Sequence, residues 1–179
     1  DKVFLKAKTN APYLIGPDGR YVRDKETKRC LVWDQDEERA VPHDYHDIPS
    51  YKAACLVNYA LEGEYKVAGV VSHPAFELIK EHLKQYTPEM ASRVSTVPAE
   101  KIRTIAKEFA QAAKVGSTIV LDGHEVPMRP ASAVLFRGGE GHENSFMTCF
   151  AVALLNMLVG SGDVYGGTLG WPPRSLGHP

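Results

Sequence analysis

The stretch VPAEKIRTIAKEFAQAAK, Val97 to Lys114, constrains the fold more than any other part of the sequence. Ile102, Ile105, Ala106, Phe109, Ala110 and Ala113 recur at i, i+3, i+4, i+7, i+8 and i+11, while Lys101, Arg103, Lys107, Glu108 and Lys114 take the other side. That is an amphipathic helix with a face to bury. Gly116 suits its end, and the apolar runs STIVL and SAVLF follow on either side of the turn-rich DGHEVPMRP. Runs without polar alternation suit strands of a sheet covered on both faces. Helix followed by strand, and strand by helix, predicts an α/β fold.

Other elements agree with this class. HPAFELIKEHLKQY places Pro74 at a helix start and Phe76, Ile79 and Leu83 at helical spacing. Thr87-Pro88-Glu89 offers a capping hydroxyl, a proline and an acid for the first turn of another helix. ACLVNYALEGEYKVAGVVS reads as extended segments turning at Leu61 to Glu64. Residues 1–50 form an irregular, loop-rich segment, with short strands expected at Tyr13 to Ile15, Arg20 to Arg23 and Cys30 to Trp33.

The chemistry concentrates in RGGEGHENSF, Arg137 to Phe146, between SAVLF and the apolar MTCFAVALLNMLVG. A strand, a glycine loop and a helix in that order are how open α/β sheets present a ligand site. Bare backbone N–H groups beside a helix N-terminus can cradle an anion. Arg137, Gly138, Gly139, Glu140, Gly141 and His142 supply the loop; a tight turn with no ligand is the competing reading. The absence of a terminal G-K-[ST] disfavours nucleoside triphosphate hydrolysis, and the glycines miss G-x-G-x-x-G. Glu140 and Glu143 suit a helix start. His142 could face a ligand, transfer a proton or finish the turn.

Elsewhere the sequence excludes more than it assigns. HDYHD, His43 to Asp47, has metal-binding residue types but no third ligand at a defined spacing, and Cys30, Cys55 and Cys149 form no C-x-x-C pair, so no metal site is expected. No G-x-S-x-G elbow marks a nucleophile, and no catalytic residue is assigned. The net charge of −1 with dispersed Lys and Arg gives no footprint for nucleic acid. Phe146 to Val159 falls short of the ~20 apolar residues of a membrane span and is expected to be a buried helix.

Tyr86 to Ala112, YTPEMASRVSTVPAEKIRTIAKEFAQA, resembles a stretch of the large subunits of the molybdopterin oxidoreductases, the dimethyl sulfoxide reductase family. DKVFLKAKTNAPYLI resembles that family's D-x-x-F followed by T-N-A-P-x-L, and LLNMLVGSGDVYGG resembles its helix ending in a glycine loop. Gly160, Gly166 and Gly167 match there, while Val159, Ser161, Asp163 and Tyr165 depart from the usual residues. Gly138 and His142 match the family's first loop.

The resemblance implies an internal fragment of a catalytic subunit, inactive by itself. The parent would hold molybdenum or tungsten between two pterin guanine dinucleotides and perform two-electron redox chemistry or oxygen-atom transfer, with an iron-sulfur cluster outside this fragment. It implies a Rossmann-like layered fragment, with a parallel or mixed sheet flanked by helices. Residues 51–131 would be its helical and strand part. Residues 132–179 would be a strand, glycine loop and helix returning to a neighbouring cofactor-binding domain. The loop from Arg137 to His142, with Gly160 and Ser161, would contact a pterin dinucleotide. Implied partners are the rest of the same polypeptide and an iron-sulfur electron-transfer subunit, with a membrane-anchor subunit as a further possibility. The implied location is the periplasmic or cytoplasmic face of a prokaryotic membrane. The alternatives are a non-catalytic nucleotide-binding or interaction module, and a structural domain whose glycines serve only turns.

Overall fold

The computed structural model describes residues 1–135, 137–139 and 141–168. Contacts divide the chain into two compact units, one of Lys2–Ala99 and one of Asp1 with Glu100–Pro179. The mixed α/β class is as expected. The described sheets are antiparallel, and parallel pairing is confined to the single bridges Met128–Tyr165 and Gly162–Thr168.

In the Lys2–Ala99 unit, α1 (Lys2–Lys8) buries Leu5 and Ala7. A three-stranded sheet runs in the order β1 (Leu14–Ile15), β5 (Val70–Pro74), β4 (Tyr65–Val67). Beside it in sequence, β2 (Leu31–Asp34) and β3 (Arg39–Pro42) form a hairpin with Val32 opposite Val41. Val32 and Val41 pack with Val57 and Tyr59 in one core, and Leu5, Ala11 and Leu61 make a second. β-Branched and aromatic residues thus hold the hairpin, as the pleated surface favours.

Two expectations for this unit need correction. Lys2–Lys8 is helical rather than loop. Tyr51–Leu56 is α2 rather than an extended segment, because the Ser50 hydroxyl accepts the Ala53 N–H at 3.2 Å and the short alanine-containing run carries no β-branched residue. The later helices fall where the periodicity placed them: α3 (Ala75–Leu83), then α4 (Pro88–Ser95), whose Thr87 hydroxyl accepts the Met90 N–H at 3.1 Å.

The second unit takes up α5 (Ala99–Ala112) from Glu100 onward. Lys114 and Gly116, both at positive φ, turn the chain into β6 (Thr118–Leu121). Asp122 and Gly123, at φ 49° and 79°, then make a two-residue turn into β7 (His124–Pro127). Part of the expected turn-rich excursion is therefore a strand, fixed by the Asp-Gly turn. The strand expected at SAVLF is not seen over Ser132–Leu135, while Phe136 lies outside the described residues. A one-turn 3₁₀ helix (Arg137–Gly139) precedes α6 (Ser145–Val159), which Gly160 closes in the left-handed conformation at φ 73°.

The predicted apolar stripe of α5 exists, yet only Ala113, just past its end, is fully buried, and Ile105 is 52% exposed. α6 also leaves Phe146, Met147, Phe150, Leu155 and Met157 exposed. The α5 stripe lies where the periodicity placed it, but the expectation of a buried helix over Phe146 to Val159 needs correction: α6 buries only Asn156 and Val159, because no described element covers its apolar surface.

Candidate functional site

Two glycine loops flank α6, one at each end. At the N-terminal end, Arg137–Gly139 makes the 3₁₀ turn and His142 closes the loop. The His142 Nδ1 accepts the Asn144 N–H at 3.1 Å, which makes Nε2 the protonated nitrogen; it donates to the Gly139 carbonyl at 3.1 Å. The Thr148 hydroxyl lies 3.4 Å from the same nitrogen. Of the three roles open to His142, the hydrogen bonds fit finishing the turn. Glu140 lies outside the described residues.

The three glycines of this loop differ physically. A Cβ on Gly139 would crowd Leu135 Cδ1, the end of a half-buried side chain that would have to turn aside. Gly138 and Gly141 would meet nothing within 4 Å, and neither has a positive φ. Among the described residues, neither crowding nor backbone strain calls for glycine there. Glycine typically destabilises by about 0.5–1 kcal/mol relative to alanine in regular structure. The bare backbone faces outward beside the start of α6, where Asn144 makes no side-chain cap and no acidic residue sits in the first turn.

At the other end of α6 the glycines serve packing. A Cβ on Gly167 would lie 2.1 Å from the Ser161 carbonyl oxygen, one on Gly166 would lie 3.1 Å from the Arg129 carbonyl oxygen, and one on Gly160 would lie 2.5 Å from Asp1 Oδ2. Ser161 is wholly buried, and its hydroxyl donates to Asn156 Oδ1 at 3.1 Å. Gly160 is buried as well, and the N–H groups of Gly160 and Ser161 already donate to the Met157 and Asn156 carbonyls at 3.1 and 2.9 Å, so the expected cofactor contact at these two residues has no open donor.

Two polar residues that sequence reasoning passed over organise both loops. Asn156, nearly buried, accepts the Ala133 N–H and donates to the Ala133 carbonyl, both at 2.8 Å. One amide thereby joins the segment entering the first loop to Ser161 in the second. Arg129, with no exposed surface, donates to Asp1, to the Val159 carbonyl at 3.2 Å, to Ser117 at 2.9 Å and to Met128 at 2.6 Å. It binds the ends of β6, β7 and α6. The only sequence signals were an Asn within an apolar helix and an Arg between Met and Pro.

HDYHD behaves otherwise than its spacing suggested. In the Lys2–Ala99 unit, Asp34, Glu37 and His46 bring ligand-type atoms within 4.8 Å of one another. These groups already have protein partners. Asp34 Oδ1 accepts the Asp36 and Glu37 N–H groups, Oδ2 pairs with His46 Nε2 at 2.6 Å, and Glu37 accepts Arg39 Nε at 2.7 Å. Burial pushes the Asp34 carboxyl up, but the His46 hydrogen bond, the two N–H donors and the imidazole charge outweigh it, leaving its pKa below the usual value. This is a clasp between hairpin and loop with its charges compensated.

No protein-family model matches the chain. Over 190 residues, covering 93% of the chain and 19% of the relative, it is 30% identical to a subunit of the sulfite dehydrogenase of Allochromatium vinosum. It is 27% identical to the chlorate reductase alpha subunit of Ideonella dechloratans, over 68% of the chain and 14% of that protein. It is 24% identical to the dimethylsulfide dehydrogenase alpha subunit of Rhodovulum sulfidophilum, over 93% of the chain and 18% of that protein. The chain spans about a fifth or less of the length of these relatives.

Proposed function

We propose that this chain, which belongs to the dimethyl sulfoxide reductase family of molybdoenzymes, supplies a glycine loop that helps hold a pterin guanine dinucleotide in a molybdenum or tungsten oxidoreductase. The carrying observation is the pair of glycines without an internal reason. Gly138 and Gly141 leave bare backbone beside the start of a 15-residue helix, where N–H groups and the helix dipole favour an anion. A pyrophosphate fits that chemistry, and a Cβ at either position would project into the approach of such a ligand.

The bound group would supply the two-electron chemistry or oxygen-atom transfer of the parent enzyme. Gly138 and Gly141 would present backbone donors, and Gly139 keeps the turn tight against Leu135. Gly160 and Ser161, buried and bonded within the chain, would support this loop from the other end of α6 through Asn156 rather than touch the ligand. No described residue is assigned to proton or electron transfer. An iron-sulfur subunit, with the rest of the catalytic subunit, would complete the electron path.

The test places Gly138→Val and Gly141→Val in the complete subunit, then measures molybdenum or tungsten and released guanine nucleotide per polypeptide. We expect both to fall together while the subunit stays folded. Unchanged metal and nucleotide content in both variants would overturn the assignment, leaving the loop as a turn.

A further inference from the structure

We infer that the outer edge of β6 is a docking surface for the remainder of the same subunit, which adds a strand along it. The inference rests on the family reading above, because it needs a chain longer than these 179 residues.

The hairpin geometry identifies the edge. Asp122 and Gly123 form a two-residue turn, so Leu121 and His124 face each other as a hydrogen-bonded pair, and the pairing alternates from there. Ile119 opposite Val126 is bonded, and so is Ser117 opposite Met128, where the Met128 N–H reaches the Ser117 carbonyl at 3.0 Å. Pro127 falls opposite Thr118 in a non-bonded pair, where its missing N–H does no harm. The N–H and C=O groups of Thr118 and Val120 therefore point away from β7. No other described strand pairs with that edge.

The side chains agree. β6 is Thr-Ile-Val-Leu, a run with apolar residues on both faces, yet Val120 is 67% exposed. A two-stranded hairpin in water is marginal by itself, and an unprotected apolar edge is normally blunted by charge, proline or a bulge. β6 has none of these. α5 leaves its stripe open at Ile105, and α6 leaves Phe146 75% exposed. An apolar helix without a cover is expected only where a larger body buries it. The matched relatives are about five times longer than this chain, so most of such a subunit lies outside it. The occupant recognised by this chemistry is an apolar strand of that remainder, hydrogen-bonded to Thr118 and Val120, and the exposed helix faces are further surface for the same body to cover.

A photoreactive benzoylphenylalanine in place of Val120, in the complete subunit, tests the occupant. We expect irradiation to link position 120 to a peptide outside these 179 residues. In the unsubstituted subunit, hydrogen exchange at Thr118 and Val120 should be slowed on the order of 100-fold or more relative to an exposed edge. Links confined to residues 2–99 or to a second copy, protection that disappears on dilution, or rapid exchange at both amides would overturn the inference. Molybdenum or tungsten content of the same preparations separates the two proposals. A linked and protected β6 in a subunit that never holds metal sinks the cofactor reading alone, and an unprotected β6 in a fully loaded subunit sinks the docking alone.

Discussion

Replacing Asn156 by Ala should loosen the start of the first glycine loop from a position at the far end of α6. The side chain makes three hydrogen bonds, to the Ala133 N–H, the Ala133 C=O and the Ser161 hydroxyl, of which only the hydroxyl keeps a second acceptor, the Asn156 carbonyl at 3.4 Å. A typical net contribution is about 1 kcal/mol each, and a buried group left unsatisfied loses more. Water admitted to the gap offsets part of that, so a local loss of about 2–3 kcal/mol is expected. At 1.4 kcal/mol per factor of ten, amide exchange at Ala133 should accelerate by about 30- to 150-fold. The assay is hydrogen exchange with mass spectrometry over residues 131–135 in the complete subunit, with Met157→Ala, one position along and half-exposed, as control. If Asn156→Ala leaves exchange at Ala133 within twofold of the parent, the amide does not hold the loop and the two loops are not linked through it.

Other perturbations separate fold from site. Gly167→Ala should disrupt the second loop, since its Cβ would meet the Ser161 carbonyl, a backbone atom with little room to yield; a fall in thermal stability of the subunit checks this. Gly141→Ala, with open space around it, should leave stability unchanged or slightly raised while lowering metal occupancy. Arg129→Met should be among the most damaging single changes, about 3–5 kcal/mol, because the buried Asp1 carboxylate loses its partner; denaturant unfolding checks it, and Asp1→Asn should be milder. The Asp34 carboxyl, depressed in the folded state, contributes stability that is complete above its unfolded value of 3.8 and lost as pH falls through its lower folded value. Exchange at the Glu37 amide, corrected for the intrinsic rate, should therefore accelerate below about pH 4, and Asp34→Asn should abolish that dependence.

What could be read from the sequence was what depends on local periodicity and caps. The stripe of α5, the Thr87 cap and the Gly116 exit all follow from neighbours within a few residues. α2 was misread because Val57, Tyr59 and the valines beyond it dominate the window, while the decisive event is one hydroxyl at Ser50. SAVLF looked like a strand because it is apolar, but pairing is decided by what lies alongside. There Ala133 is held by a side chain 23 residues away. In the candidate site the glycines were visible but their different jobs were not. Gly167 and Gly138 read alike as letters, and only the atoms around them distinguish a packing need from open space. Arg129 and Asn156 carried no pattern, since their partners are carbonyls and N–H groups that any sequence possesses.

His142 has a consequence for how protons move. Both ring nitrogens are engaged within its own loop, one as acceptor from Asn144 and one as donor to Gly139. A ring so engaged cannot hand a proton to a neighbour without first giving up a bond that shapes the backbone. The residue that looks most like an acid–base group is therefore a latch, spending both of its nitrogens on the shape of its own loop.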